Sequence, residues 1–394
     1  MGFTRPFAGV DRRTTFLRVT LLGATFIGMS LSAPLWVNSR EFPVLPIVPG
    51  FPVLPVPWDK CFFGLMLLAL VAACWFYRAA IGFFLVASLF AFFEDQNRGQ
   101  PWFYMYWVML LLSLLRPTTA IAACRCAISV AYIWSGIQKL NPNFFGGVPS
   151  FFVEPAVNWH LPSAVITLLR WSVASAPFVE IAIGIALLIR PLRRVAIAAV
   201  VVLHLGALVF LGPLGRNYNF IIWPWNVAMI ALVCALFAGR SQANDFTQTF
   251  LELRRSKFAA VVLALYTFLP ALSYSGKWDS DFSFTLYAGM ESEANFFVTK
   301  EFADRLPPKL RTYVQPFPNH DPRFQGPNLL MVKIWCYDEL HVPFAPETRN
   351  FRSLFRHLRR YAQRPEDLRM IIGQRAGPVM FCEGDSVRFL QRKN

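Results

Sequence analysis

Apolar runs of membrane-crossing length recur along this chain, at roughly 16–36, 61–77, 79–93, 102–115, 118–139, 170–189, 194–213, 220–238 and 258–274. A run of about 18 or more apolar residues belongs in hydrocarbon, where only helices and closed barrels satisfy their own backbone polar groups. The expected fold is therefore an all-α polytopic membrane bundle of about nine transmembrane helices, with 79–93 and 102–115 short for a span. Composition agrees: 55% of the 394 residues are hydrophobic, only 15% are charged, and the mean hydropathy is +0.42, which excludes an ordinary soluble protein. The first run is long and is followed by Pro34, so it reads as a retained helix rather than a cleaved signal.

A net charge of +15 in a soluble chain would point to nucleic acid, but here the position of each charge carries the information. Arg5, Arg12, Arg13, Arg78, Arg116, Arg190, Arg193, Arg194, Arg240, Arg254, Arg255 and Lys257 fall at alternate ends of the nine runs, whereas the opposite ends hold the sparser set Arg40, Lys60, Arg98, Lys139 and Arg216. By the positive-inside rule the N-terminus is cytoplasmic and the C-terminus extracytoplasmic. No nucleic-acid partner is expected.

After residue 275 the apolar runs shorten and Pro, Asp, Glu and Arg rise, so 1–275 reads as the helical membrane domain and 276–394 as a small extracytoplasmic α+β domain. Within the latter, "FSFTLYAG" and "NLLMVKIW" read as strands, "RMIIGQRAGPVMFCEG" as two strands around a turn, and "RNFRSLFRHLRRYA" as a helix with Phe351, Leu354, Phe355 and Leu358 on one face. Cys336 and Cys382 lie in this outer part, where they form a disulfide or remain thiols. The proline-rich "FPVLPIVPGFPVLPVPW", 42–58, is an extended external loop, either a cover on the helix ends or a lid over an access path for a lipid-soluble molecule. "GRSQANDFTQTFLELRRSK" reads as a cytoplasmic surface helix.

Ionisable groups inside apolar spans are costly and mark candidate sites. Arg125, Ser129, Tyr132, Ser135 and Lys139 recur at steps of three or four, so they share one helical face turned from lipid. Lys139 ends that stripe and either snorkels to the interface or faces a cavity. Glu180 and His204 sit on consecutive antiparallel helices, roughly 12–15 Å and about 15 Å below the external end at 1.5 Å per residue, and are expected to meet, as a structural pair or as a relay. "FFEDQNRGQPWFYMYW" and "GRNYNFIIWPWN" place Trp102, Trp107, Trp223 and Trp225 as an aromatic belt, while Asp95, Arg98, Asn217, Asn219 and Asn226 are expected to rim the same external cavity as Lys139. Cys124 and Cys126 diverge around a helix, and no metal motif is found.

"YIWSGIQKLNPNF", "VVLHLGALVFLGPLGRNYNF" and "EDQNRGQPWFYMY" resemble the horizontally transferred transmembrane (HTTM) domain family, related to the membrane domain of vitamin K-dependent gamma-carboxylase, over roughly 12–275. The resemblance implies a quinol-like lipophilic cosubstrate, Lys139 as the base that deprotonates it and His204 assisting. It also implies a bacterial inner-membrane location. With Glu180 beside them and Tyr132, Ser135, Asp95, Arg98, Asn217 and Asn219 as cosubstrate contacts, the expected function is modification of a secreted or membrane protein or peptide at the external face. Two alternatives stand beside it: a non-catalytic maturation or accessory factor for such a partner, and a quinone-linked redox membrane protein akin to the DoxX-like group.

Overall fold

The computed structural model describes residues 11–239, 246–317, 328–373 and 379–390. Its N-terminal part is helical: α1 (Arg12–Leu31), α2 (Ala33–Trp36), α3 (Trp58–Ala72), α4 (Tyr77–Glu94), α5 (Pro101–Leu112), α6 (Pro117–Lys139), α7 (Pro142–Asn158), α8 (Ser163–Ala174), α9 (Ala176–Leu188), α10 (Arg193–Leu211), α11 (Ile222–Phe237), α12 (Phe246–Arg254) and α13 (Lys257–Phe268). Local sequence sets several starts. Asp11 accepts from the Arg13 and Thr14 amides to cap α1, Asn141 accepts from Phe144 N to cap α7, and Pro101 and Pro117 sit where a missing N–H costs nothing.

All nine apolar runs are helical over most of their length, but not all of these helices are long enough to count as spans. Among the described residues, α1, α4, α6 and the stretches Arg190–Leu211 and Lys257–Ser275 are long and apolar enough to cross a membrane, and the pair α8 and α9, bent by 50°, makes a sixth if counted as one. The others fall short because their helices stop before the apolar sequence does: α5 has 12 residues, α3 has 15 and α11 has 16. Twelve residues reach about 18 Å, against about 30 Å of hydrocarbon. The chain is an integral, multi-pass membrane protein of five or six candidate spans with shorter apolar helices packed among them.

The C-terminal part contains β1 (Glu293–Val298), α14 (Lys300–Arg305), α15 (Pro308–Arg311), β2 (Val314–Pro316), β3 (Asn328–Leu330), α16 (Val332–Leu340), α17 (Thr348–Leu358), β4 (Leu368–Gly373), β5 (Val379–Glu383) and β6 (Ser386–Leu390). The strands form one antiparallel sheet in the order β2-β3-β1-β4-β5-β6, with Phe296 opposite both Leu330 and Met370. As expected, Phe351, Leu354, Phe355 and Leu358 form the buried face of α17. "FSFTLYAG", however, is a 3-10 turn at Asp281–Ser283 followed by irregular chain, and "NLLMVKIW" begins as strand β3 but turns into helix α16 from Val332. Cys336 and Cys382 are buried free thiols, so the disulfide alternative is not realised. The expected surface helix is present as α12, with 240–245 outside the described residues.

The sheet part sits against the bundle through the 32–58 loop and the turn at 95–100. Phe42 packs on Trp335 with ring centroids 4.5 Å apart and planes tilted by 54°, Gln100 donates to the Pro343 carbonyl (3.1 Å), and Ala345 N donates to Asn97 Oδ1 (3.2 Å).

Candidate functional site

Helix α6 packs closely against α9, and two glycines permit it. A Cβ on Gly136 would lie 2.4 Å from the Pro177 carbonyl oxygen, and one on Gly184 would lie 2.6 Å from Ile133 Cγ1 and the Ser129 carbonyl oxygen. Small residues at such crossings let backbones approach where no hydrophobic effect drives them together. One turn beyond Gly136, the approach sets Lys139 beside Glu180.

Lys139 Nζ donates to Glu180 Oε2 (2.8 Å), to Ser135 Oγ (2.7 Å) and to the Ser135 carbonyl (3.2 Å), which uses all three of its N–H groups. Both charged side chains are buried, 9% and 10% exposed. Lys139 therefore does not snorkel. The expected pairing of Glu180 with His204 is corrected: Glu180 bonds Lys139, and both His204 ring nitrogens are taken elsewhere. His204 Nδ1 lies 2.6 Å from Asn226 Oδ1 and Nε2 lies 2.6 Å from the Tyr132 hydroxyl. Asn226 Nδ2 donates to the Ile222 carbonyl (2.8 Å), which turns its oxygen toward the ring. Nδ1 then carries the proton and Nε2 accepts from Tyr132, the pattern of a neutral imidazole.

These two couples face one cavity of about 660 Å³, otherwise lined mostly by apolar side chains of α5 to α11 and of the segment after α13. Tyr132, Ser135 and Lys139 bring one helical face to it, with Glu180, His204 and Asn226 opposite. Phe144, Phe152, Phe284, Leu286 and Tyr287 close it on the side of Lys139 and the sheet. Phe284 and Tyr287 are held at φ 60° and 57°, left-handed conformations that cost bulky residues of order 1–3 kcal/mol each.

Several expected site residues lie elsewhere. Asp95 and Arg98 do not line this cavity. They belong to a buried clamp on the 32–58 loop, in which Arg40 pairs with Asp95 and Arg98 with Glu94. In the same clamp Arg98 donates to the Leu35 carbonyl (3.0 Å) and Asn38 Oδ1 (2.9 Å), and Glu94 accepts from Leu54 N (2.6 Å). The loop is a cover fastened to the helix ends; none of its residues lines the cavity. Asn217 and Asn219 are turn residues at φ 49° and 51°, a region asparagine tolerates. Asn219 reaches the cavity only through Tyr287, donating to its hydroxyl at 3.3 Å. Arg125, at the far end of the stripe, donates to the Leu236 carbonyl (2.7 Å) and lines a second cavity. Trp102 is a core residue packed over Gly28 rather than part of a belt, and Trp225 lines the main cavity. Sequence reasoning missed Phe284 and Tyr287, whose segment carries a strand-like pattern, and the two packing glycines.

The arrangement sets two hydrogen-bonded couples of ionisable side chains at the wall of an apolar chamber. Comparison with known proteins changes the expected relationship. No curated protein and no solved structure matches the chain. Residues 117–221 match the family model described as Methylamine utilisation protein MauE, and not that of the HTTM family. The expected HTTM membership, and with it the relation to gamma-carboxylase, is therefore withdrawn. The matched stretch, roughly a quarter of the chain, runs from the start of α6 past α10 and carries Tyr132, Ser135, Lys139, Glu180 and His204, so the similarity to MauE falls on the helices that build most of the cavity.

Proposed function

We propose that this integral membrane protein binds a lipid-soluble ring compound of the quinol class in the main cavity and that Lys139 takes a proton from the ring hydroxyl. The observation that carries the reading is the pair of hydrogen-bonded couples, Lys139 with Glu180 and Tyr132 with His204, facing one apolar chamber of about 660 Å³. That size lies within the usual range for small-molecule pockets, which are mostly apolar with a few placed polar groups. Lys139 acts as base after passing one ammonium proton to Glu180, which frees the lone pair on its nitrogen. Tyr132, His204 and Asn226 form a fixed chain of donors and acceptors that orients a second polar edge of the ligand.

The test measures how fast a hydroquinone in protein-containing bilayers reduces ferricyanide, since hydroquinone yields electrons far faster once deprotonated. Wild type is expected to accelerate the reaction over lipid alone. Lys139→Arg, which keeps the charge but accepts no proton, and Lys139→Ala are each expected to lower the protein-dependent rate at least tenfold. Lys60→Arg, at an exposed helix start, leaves it unchanged. A Lys139→Arg protein as fast as wild type overturns the base role. An accessory function toward a secreted or membrane partner is the second reading, favoured by β6, an edge strand that exposes Phe389.

A further inference from the structure

The main cavity reaches the surface of the bundle sideways, at the level of the helix middles. Val202, near the centre of α10, lines it and is 72% exposed, and Ser172 of α8 lines it and is also exposed. α8 stands apart from the bundle. It has no buried residue, it packs chiefly on α7, and it meets α9 at a 50° bend. At the sheet side the chamber is closed by the aromatic rings of α7 and the 284–287 segment. The exposed side chains of α8 and α10 on this flank, among them Leu168, Trp171, Val202 and Leu205, are apolar, as a face turned to hydrocarbon requires.

Gly206 lies at this opening and differs from the packing glycines. A Cβ on Gly136 or Gly184 would strike a neighbouring helix, whereas a Cβ on Gly206 would meet nothing within 4 Å. Glycine inside a helix costs about 1 kcal/mol relative to alanine, and no close helix approach accounts for it here. The space it leaves is continuous with the cavity it lines, and Ala176, Ala199 and Ala207 keep nearby lining positions small.

We infer that the ligand is a tailed lipid: a polar ring seated at the Lys139–Glu180 and Tyr132–His204 couples, with a hydrocarbon chain that leaves through the α8–α10 opening past Gly206 into the bilayer. The inference rests on the ring-binding reading and adds the tail, the route and the residue that sets the width of that route. A chain in the opening exchanges lipid contacts for contacts with Val202, Gly206 and Phe210, so tail length adds little affinity once bilayer partitioning is accounted for, but a side chain filling the gap forces the tail out of its path.

The experiment compares equilibrium binding of an untailed benzohydroquinone and its decyl-tailed counterpart to protein in lipid nanodiscs, with affinities referred to concentration in the bilayer. Wild type is expected to bind both within about threefold of one another. Gly206→Phe is expected to weaken the tailed compound at least tenfold and the untailed one less than twofold. Gly82→Phe, at another glycine with open space around it and outside the cavity, leaves both unchanged. Unchanged affinity of the tailed compound in Gly206→Phe, or equal loss of both, overturns the portal. If wild type binds neither, the ring reading fails by itself, and labelling of Gly206→Cys then decides the portal. Modification of residue 206, read by peptide mass spectrometry, by a bilayer-dissolved maleimide and not by a charged one sustains a lipid-facing opening. No modification by the apolar reagent overturns it.

Discussion

Lys139 and Glu180 are ionisable groups in low-dielectric surroundings, and each is tolerable because of the other. Removing one strands its partner without a counter-charge, a loss of about 3–5 kcal/mol, whereas replacing both by apolar residues of similar size is often near neutral. Glu180→Leu is thus expected to lower the thermal unfolding midpoint sharply, and the double change Lys139→Met/Glu180→Leu to restore most of it while still lacking proton exchange. A loss in the double change equal to the sum of the two single losses would show that the two side chains act independently. Gly184 makes a second residue-scale test. Valine there places carbon 2.6 Å from Ile133 Cγ1 and the Ser129 carbonyl oxygen, and overpacking of this kind costs about 1–3 kcal/mol. Because the wedge also separates α6 from α9, Gly184→Val is expected to abolish hydroquinone binding, while valine at Gly206 leaves unfolding unchanged.

At the scale of elements, the join between bundle and sheet carries its own electrostatics. Arg349 at the start of α17 pairs with Asp279 and reaches Gln96, while Glu347 accepts from Ser280 N at 2.7 Å. Burial, and then the Asp279 charge, push the Glu347 carboxyl up to about 7. An acid raised in the folded state binds more protons folded than unfolded. Its contribution is fully present below the ordinary glutamate range and is lost as pH rises through about 7. The melting midpoint should fall between pH 5 and pH 8, and Glu347→Gln, which keeps an acceptor for Ser280 N without the charge, should flatten that fall; parallel curves would remove Glu347 as its source. The same scale shows what was legible in the sequence. A lysine, a glutamate and a histidine in apolar runs announce themselves by their cost in hydrocarbon, and period-3.6 spacing placed Tyr132, Ser135 and Lys139 on one face. Pairing was not legible, because it depends on how deeply α6 and α9 approach, and that is set by Gly136 and Gly184, residues that carry no chemical signal. Asp95 and Arg98 misled because a buried ion pair that fastens a loop uses the same residue types as a ligand rim.

For the whole molecule, the charge distribution and the architecture bear on one question, which end of the bundle faces the cytoplasm. Arg13, Arg125 and Arg255 line the second cavity, about 440 Å³, together with Asp11 and Glu252 near the N-terminal ends of α1 and α6. Lys139 lies at the other end of the 23-residue α6, about 35 Å away at helical rise. Toward that end lie the Arg40 and Arg98 clamp and the sheet. Arginines concentrate on the side that stays inside because translocating them is disfavoured, so the α1 start is proposed to be cytoplasmic and the sheet, with the closed roof of the main cavity, extracytoplasmic. The six candidate spans alone do not fix this, since the shorter α3, α5 and α11 decide whether the crossings sum to an odd number; the arginine bias decides independently of the count. Alkaline phosphatase fused after Asn394 in a bacterial inner membrane is expected to be active, and a fluorescent protein that matures only in the cytoplasm to stay dark at the same position. The reverse pattern would turn the molecule over, setting Lys139 near the cytoplasmic surface. Any protein partner of the sheet would then have to be cytoplasmic, while the sideways opening between α8 and α10, which faces lipid in either orientation, would stand.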